Sequence, residues 1–284
     1  MTVLDRRLNA FREDLADKRL EGQVEAPSFV AGRPAHVRIP VLDMRRTPSL
    51  EAGIDTQLLF GQDVLVFDEN EGFAWVQSVS DGYVGYIGSN GLADGASKAA
   101  HIVCAARTFV YPAPDLKTVP TSVLSMGSLL EVVAFEERRG TNYAVLPSGE
   151  AVIAGHLRVA AQRDTDYVAV AERLIHTPYL WGGATAFGID CSGLVQLSMR
   201  MAGKQVLRDS DMQAATIGVT IDPERETLRR GDLVFWKGHA AIMADRETII
   251  HANGHTMTVA LEPLADAVSR IGYLYGQPTG YRRP

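Results

Sequence analysis

Cys191 sits where a glycine-rich loop meets an apolar run, in YLWGGATAFGIDCSGLVQLSMR from Tyr179 to Arg200. A thiol is a weak nucleophile until it ionises. A helix N-terminus favours the thiolate, because its unpaired N–H groups and its dipole stabilise negative charge. Gly182, Gly183 and Gly188 suit a loop entering such a helix, and Asp190 suits its cap. Ser192 and Gly193 are small enough for a substrate backbone to come close. Backbone N–H groups beside the sulfur would receive a developing oxyanion. The thiolate also needs a base. His239 follows GDLVFWKG and opens a strand, and His251 comes twelve residues later in TIIHANG. A hairpin would set the two rings side by side, giving a nucleophile, a base and a group to orient the base. Taken singly, each has a plainer reading: a cysteine packed at a helix start, a histidine satisfied in a strand.

The elements that must position them follow from periodicity. YVAVAERLIHT has helical spacing, CSGLVQLSMRMAG forms a second helix that ends at a glycine, and LRRGDLVFW, HAAIMAD and ETIIHANG read as strands. Helices first and antiparallel-type strands afterwards predict an α+β domain over residues 163–284. Ahead of it lies an internal repeat. The copies begin at VRIPVLDMRR and IVCAARTFVY; each passes a Pro-containing turn, then a glycine before an apolar strand (GQDVLVF, GSLLEVV). Short strands at this spacing predict a small all-β barrel in each copy, over residues 35–95 and 96–162. Leu4, Leu8, Phe11 and Leu15 recur at helical spacing and predict a short amphipathic helix within residues 1–34. Cys104 falls in a strand pattern and is expected to be a buried structural thiol.

The chain has 284 residues, 46% hydrophobic and 22% charged, enough apolar content for real cores. A net charge of −6 argues against a nucleic-acid partner. Two cysteines are too few for a disulfide scaffold. The start, MTVLDRRLNAFREDLADKRL, lacks the apolar core of a secretory signal, and no run is long enough to span a membrane. A cytoplasmic protein with no membrane association is expected.

YLWGG, FGIDCSGLVQ, RDSDMQ, GDLVFW and GHAAIM, in that order from about Asp164 to Arg283, resemble the NlpC-type cell-wall peptidases, a branch of the papain-like cysteine peptidases. DGYVGYI resembles the end of a bacterial SH3 (SH3b) domain, and two SH3b-like domains ahead of the peptidase match an architecture in that family. The resemblance implies a papain-like domain preceded by two small SH3b barrels, the second degenerate. It implies Cys191 as nucleophile, His239 as general base and His251 as its orienting partner, with no cofactor and no metal. Family members usually carry Val-Gly after the base histidine; Ala240 and Ala241 stand here, small and apolar enough to keep the strand. The implied substrate is a murein peptide, cut between γ-D-glutamate and a diamino acid such as diaminopimelate. Relatives with this architecture act in wall recycling and require a free N-terminal L-alanine, the first SH3b domain closing one end of the cleft. Tyr179, Asp190, Ser192, Asp209 and Ser210 match substrate-groove positions, and Tyr83 the SH3b tyrosine that meets the first residue. Tyr83 could equally be a barrel-core aromatic with Tyr86 exposed in its place, Asp190 and Asp209 plain helix caps, and Arg208 a solvated charge or structural ion pair.

Three other readings use the same residues. A papain-like acyltransferase would pass the acyl group to an acceptor other than water. A non-catalytic SH3b wall-binding protein would have no use for an activated thiol. A zinc hydrolase would use His251 and His255 with a distant cysteine, but nothing supplies a dependable third ligand and zinc sites are usually denser.

Overall fold

A computed structural model of the chain describes residues 4–284. It divides into two units, one ending at Gln162 and the other beginning at Arg163.

In the first unit, seven antiparallel strands between Arg33 and Asp94 form one sheet, with Ile54–Leu59 at one end of its order and Leu92–Asp94 at the other. Alternation along these strands turns Val37, Leu42, Met44, Val64, Val66, Val76 and Ile87 into a shared core. The last strand returns to the first, Ala35 pairing with Asp94, after a 3-10 turn at Ser89–Gly91. The following segment repeats this ending: a 3-10 turn at Ala154–His156 leads into Leu157–Val159, which pairs back to His101–Val103. It builds two separate sheets, of five and three strands. Where the sequence predicts closed barrels, the sheets are open. The second copy is split because its first strand breaks at a bend over residues 104–106. Cys104 lies in that break, half-buried, with its sulfur 3.3 Å from the His156 carbonyl, and is not the buried strand thiol the pattern predicts.

Among the described residues the predicted N-terminal helix is absent. The Asp5 side chain accepts from the Arg7 N–H, and the Asp5 carbonyl accepts from both Leu8 and Asn9, which closes a turn. Such local bonds compete with helix formation, and a segment this short has little propensity to set against them. Ala10 and Leu15 instead pack with Phe67 and Trp75, and the Arg12 guanidinium lies 4.7 Å from the Trp75 ring.

The second unit is α+β. Helix α1 spans Tyr167–Glu172, α2 Cys191–Met201, α3 Ser210–Thr216 and α4 Leu264–Tyr275. Its sheet has strands β1 Val219–Thr220, β2 Leu233–Trp236, β3 His239–Met243, β4 Thr248–Asn253, β5 Thr258–Pro263 and β6 Gly280–Arg283, in the order β1-β6-β2-β3-β4-β5. All β2 residues and most of β3 and β4 are buried, so these central strands read as apolar runs rather than alternating ones. Helix α2 packs on β3 and β4 and is itself almost wholly buried. Helix α4 covers Val234, Trp236, Met243 and Ile249 with Ala267 and Ile271.

Candidate active site

The Cys191 helix starts where it does because Asp190 caps it, accepting from the Gly193 N–H at 2.7 Å. The cap is held from the other side by Arg208, which is 1% exposed. Its Nη1 and Nη2 donate to Asp190 Oδ1 and Oδ2 at 3.0 and 2.7 Å, and Nη1 also donates to Ser192 Oγ at 2.7 Å. Such a fork restores the hydration that burial removes from both ions. Gly193 allows the loop to close on the helix, since a Cβ there would collide with the Gly183 carbonyl oxygen. Gln213 of α3 donates to the Ser192 carbonyl at 2.9 Å, which fastens the same turn.

Cys191 is 7% exposed, and its sulfur lies 3.9 Å from the Gly238 carbonyl, beside the backbone N–H groups of Ala240 and Ser192. It therefore sits against the residues on both sides of His239. Burial pushes the thiol up to about 12, the Asp190 carboxylate adding to the rise against smaller opposing effects of Ala240, Arg208 and Ser192. Burial thus opposes the thiolate expected at this helix start.

His239 and His251 meet as the hairpin predicts: His239 Nε2 lies 2.9 Å from His251 Nδ1. Extending the Ile242–Ile250 register places His251 opposite Ala241, so His239 is its diagonal neighbour on the same face. On the other side His251 pairs with Ala260, which puts Glu262 at the next position on that face. Glu262 Oε2 stands 3.0 Å from His251 Nε2, off the direction of the ring N–H, and accepts from Arg270 at 2.6 Å. Three side chains from three neighbouring strands thus run diagonally across the sheet and end on an α4 arginine. Burial drives His239 down to about 3, with the charges of His251 and Arg270 adding to it. Burial likewise takes His251 to about 4 although Glu262 pulls the other way. Burial raises the Glu262 carboxyl, but hydrogen bonds and charge from Arg270 and His251 outweigh it and hold the group below its ordinary value. Both rings are neutral at pH 7. For His251 Nδ1 to accept from His239 Nε2–H, His251 must carry its proton on Nε2, facing Glu262. His239 Nδ1 is then the unprotonated base.

Tyr179 is half-buried, and its hydroxyl is held protonated by burial and by the charges of Cys191 and Asp190, so it is an O–H donor within electrostatic reach of the thiol. Asp209 is the N-terminal cap residue of α3, with Ser210 beginning that helix; both are partly exposed.

A model of the NlpC/P60 family matches residues 176–271, and one described as a bacterial dipeptidyl-peptidase SH3 domain matches residues 44–92. The chain carries an NlpC/P60 peptidase domain after a bacterial SH3 domain. Dipeptidyl-peptidase 6 of Lysinibacillus sphaericus is 28% identical over 260 residues, 80% of this chain and 94% of that one. A protein of Bacillus cereus named gamma-D-glutamyl-L-lysine dipeptidyl-peptidase is 25% identical over 245 residues, 74% and 71% of the two chains. The crystal structure of an NlpC/P60 family protein from Bacillus cereus superposes with a TM-score of 0.72 over 88% of this chain and 99% of the other, at 21% identity, and so shares the fold.

Within the NlpC/P60 domain, two expected ligand contacts are instead framework. Asp190 uses Oδ1 on Gly193, Ser192 and Arg208, and Oδ2 on Gly182 and Arg208. Ser192 Oγ is taken by Asp190 and Arg208. Tyr83, expected to touch the first substrate residue, is 4% exposed and packed in the SH3 core, because strand alternation turns it inward. Tyr86 points the other way and accepts from Arg12. Arg208, Gln213, Glu262 and Arg270 carry the site and were not singled out as functional. Nor was α4, although Pro263 before it, Ala267 and Ile271 four apart and Gly276 after it spell a helix. Both His251 ring nitrogens face partners, which leaves the zinc reading without a ligand there. Among the described residues no three His, Cys, Asp or Glu side chains gather as a metal-holding group, and no helix is long and apolar enough to cross a membrane.

Proposed function

We propose that this chain is a cysteine endopeptidase that cuts the γ-D-glutamyl–diamino acid bond of murein peptides bearing a free N-terminal L-alanine, and releases L-Ala-γ-D-Glu. The observation that carries this reading is the His239–His251 contact at 2.9 Å, with the Cys191 sulfur against the backbone that flanks His239. Cys191 is the nucleophile, His239 the base and His251 its orienting partner. As Sγ attacks the γ-carbonyl carbon, its proton passes to His239. The C–N bond then breaks, and the imidazolium gives that proton to the departing amine. Water attacks the thioester, loses a proton to His239 and releases the acid, and the thiol is restored. Backbone N–H groups at the start of α2 face the developing oxyanion.

Asp209 and Ser210 are assigned to the acyl half of the substrate, and Tyr179 to the scissile carbonyl. The relatives' names, dipeptidyl-peptidase and gamma-D-glutamyl-L-lysine dipeptidyl-peptidase, support a dipeptide product. The SH3 match supports the same reading. We read residues 96–162 as a second, degenerate SH3b copy, on the strength of the shared 3-10 turn and returning strand. Residues 1–34, 35–95, 96–162 and 163–284 are then the extension, the two SH3b copies and the peptidase domain. A cytoplasmic location fits recycling, since imported peptides rather than polymeric wall would reach the enzyme. The test is mass spectrometry of digests of L-Ala-γ-D-Glu-diaminopimelate and its N-acylated form. Release of L-Ala-γ-D-Glu from the free peptide alone supports the proposal; equal cleavage of both contradicts the requirement for a free amine.

A further inference from the structure

A cleft of about 510 Å³ opens beside His239, lined among others by Tyr179, Lys237, His255, Arg270 and Tyr275. No aspartate or glutamate is among its lining residues, and neither are Cys191, Asp209 or Ser210. It therefore belongs to the imidazole's side of the sulfur rather than to that of α3. This matters because the leaving amine must come within hydrogen-bond reach of the ring that protonates it. Whatever that amine's residue carries is then placed in the cleft.

The cleft's charges are unequal in what they can still bind. Arg270 commits Nε and Nη2 to Glu262, at 3.0 and 2.6 Å. Lys237 has no acidic partner among the described residues. It is exposed in the two-residue turn Lys237-Gly238 that joins β2 to β3, where Trp236 pairs with His239, so its ammonium is tied by backbone to the base. Gly238 takes a φ of +75°, which makes the turn this short.

Building on the proposed peptidase reading, we infer that Lys237 receives a carboxylate at the far end of the leaving diamino acid's side chain, and so selects diaminopimelate over lysine. Both residues present an α-carboxylate and a distal ammonium. Only diaminopimelate adds a distal carboxylate. Lysine would bring its ammonium, uncompensated, toward Lys237 and Arg270 with no acid in the cleft to receive it, a like-charge cost that diaminopimelate offsets. Two relatives are named for L-lysine, so the preference distinguishes this chain from what those names state.

The test is steady-state kinetics of the full chain on L-Ala-γ-D-Glu-diaminopimelate and L-Ala-γ-D-Glu-L-Lys, for the native protein, Lys237→Gln and Lys237→Glu. The native protein should favour diaminopimelate in kcat/KM by about tenfold, the scale of one charge-assisted contact. Lys237→Gln should erase that ratio mainly through KM, and Lys237→Glu should invert it. Equal losses on both peptides in Lys237→Gln would mean that the shared α-carboxylate is read, and would overturn the inference; so would a native protein without preference, or a ratio indifferent to the substitutions. In those cases the peptidase reading stands. Cleavage of neither peptide would bring both down.

Discussion

His251 Nε2 lies 3.0 Å from Glu262 Oε2 while its Nδ1 lies 2.9 Å from His239 Nε2, so the ring that orients the base has a carboxylate on its far side. The diagonal follows from strand register alone: His239, His251 and Glu262 are one face of three neighbouring strands. Glu262→Gln should lower kcat by about tenfold to a hundredfold, with KM little changed. Because the Glu262 charge holds the His251 pKa up, the acid limb of the rate profile should move to lower pH. A variant that is only less stable would lose activity without moving that limb.

Acid should also weaken the fold itself. His239 and His251 are held at about 3 and about 4, below the 6.5 of an exposed ring. As pH falls through 6.5 the unfolded chain takes up protons that the folded chain refuses, so stability is present above 6.5 and lost on the way down to about 4. With two rings each refusing a proton over about two pH units, the loss by pH 4.5 should be on the order of 5 kcal/mol. Urea unfolding at pH 7 and pH 4.5 measures it, and His251→Gln should remove about half of the difference, His239 keeping the rest.

Arg208→Gln leaves Asp190 buried without its counter-ion, a change that costs about 3–5 kcal/mol. Arg208→Lys should recover little of this, because one ammonium cannot reproduce the two-pronged contact. Unfolding midpoints give the stabilities. Alkylation of Cys191 by iodoacetamide should quicken in both variants as the turn loosens.

Gly193→Ala pushes a methyl group into the Gly183 carbonyl, whose chain is pinned by Asp190 and Arg208. Overpacking of this kind costs about 1–3 kcal/mol. Activity should fall further than stability, as seen when kcat is compared with the unfolding free energy, because the displaced turn carries the nucleophile.

The sequence made the peptidase half legible wherever period and punctuation agree. The apolar run after Asp190, the strands on either side of Lys237-Gly238 and the paired histidines all stand where their patterns place them. Glu262 was hidden because its partnership depends on hairpin register, which a sequence states only once the turn at 254–257 is fixed. Arg208 reads from the sequence as a solvated charge or a structural ion pair; the second holds, and its partner is set by the burial of Asp190, which no local pattern states. In the N-terminal segment the leucine spacing was real, but Asp5 offered the backbone a turn, and Phe67 and Trp75 offered the side chains a surface.

The central claim is that Cys191 carries the acyl group. The most direct measurement is intact-protein mass spectrometry of acid-quenched reactions with L-Ala-γ-D-Glu-diaminopimelate, alongside turnover by Cys191→Ala. A transient increment of L-Ala-γ-D-Glu less one water, located on the Cys191 peptide by digestion of the quenched protein, and no turnover by the variant, is the predicted result. Turnover by Cys191→Ala at a rate near that of the native protein would contradict it.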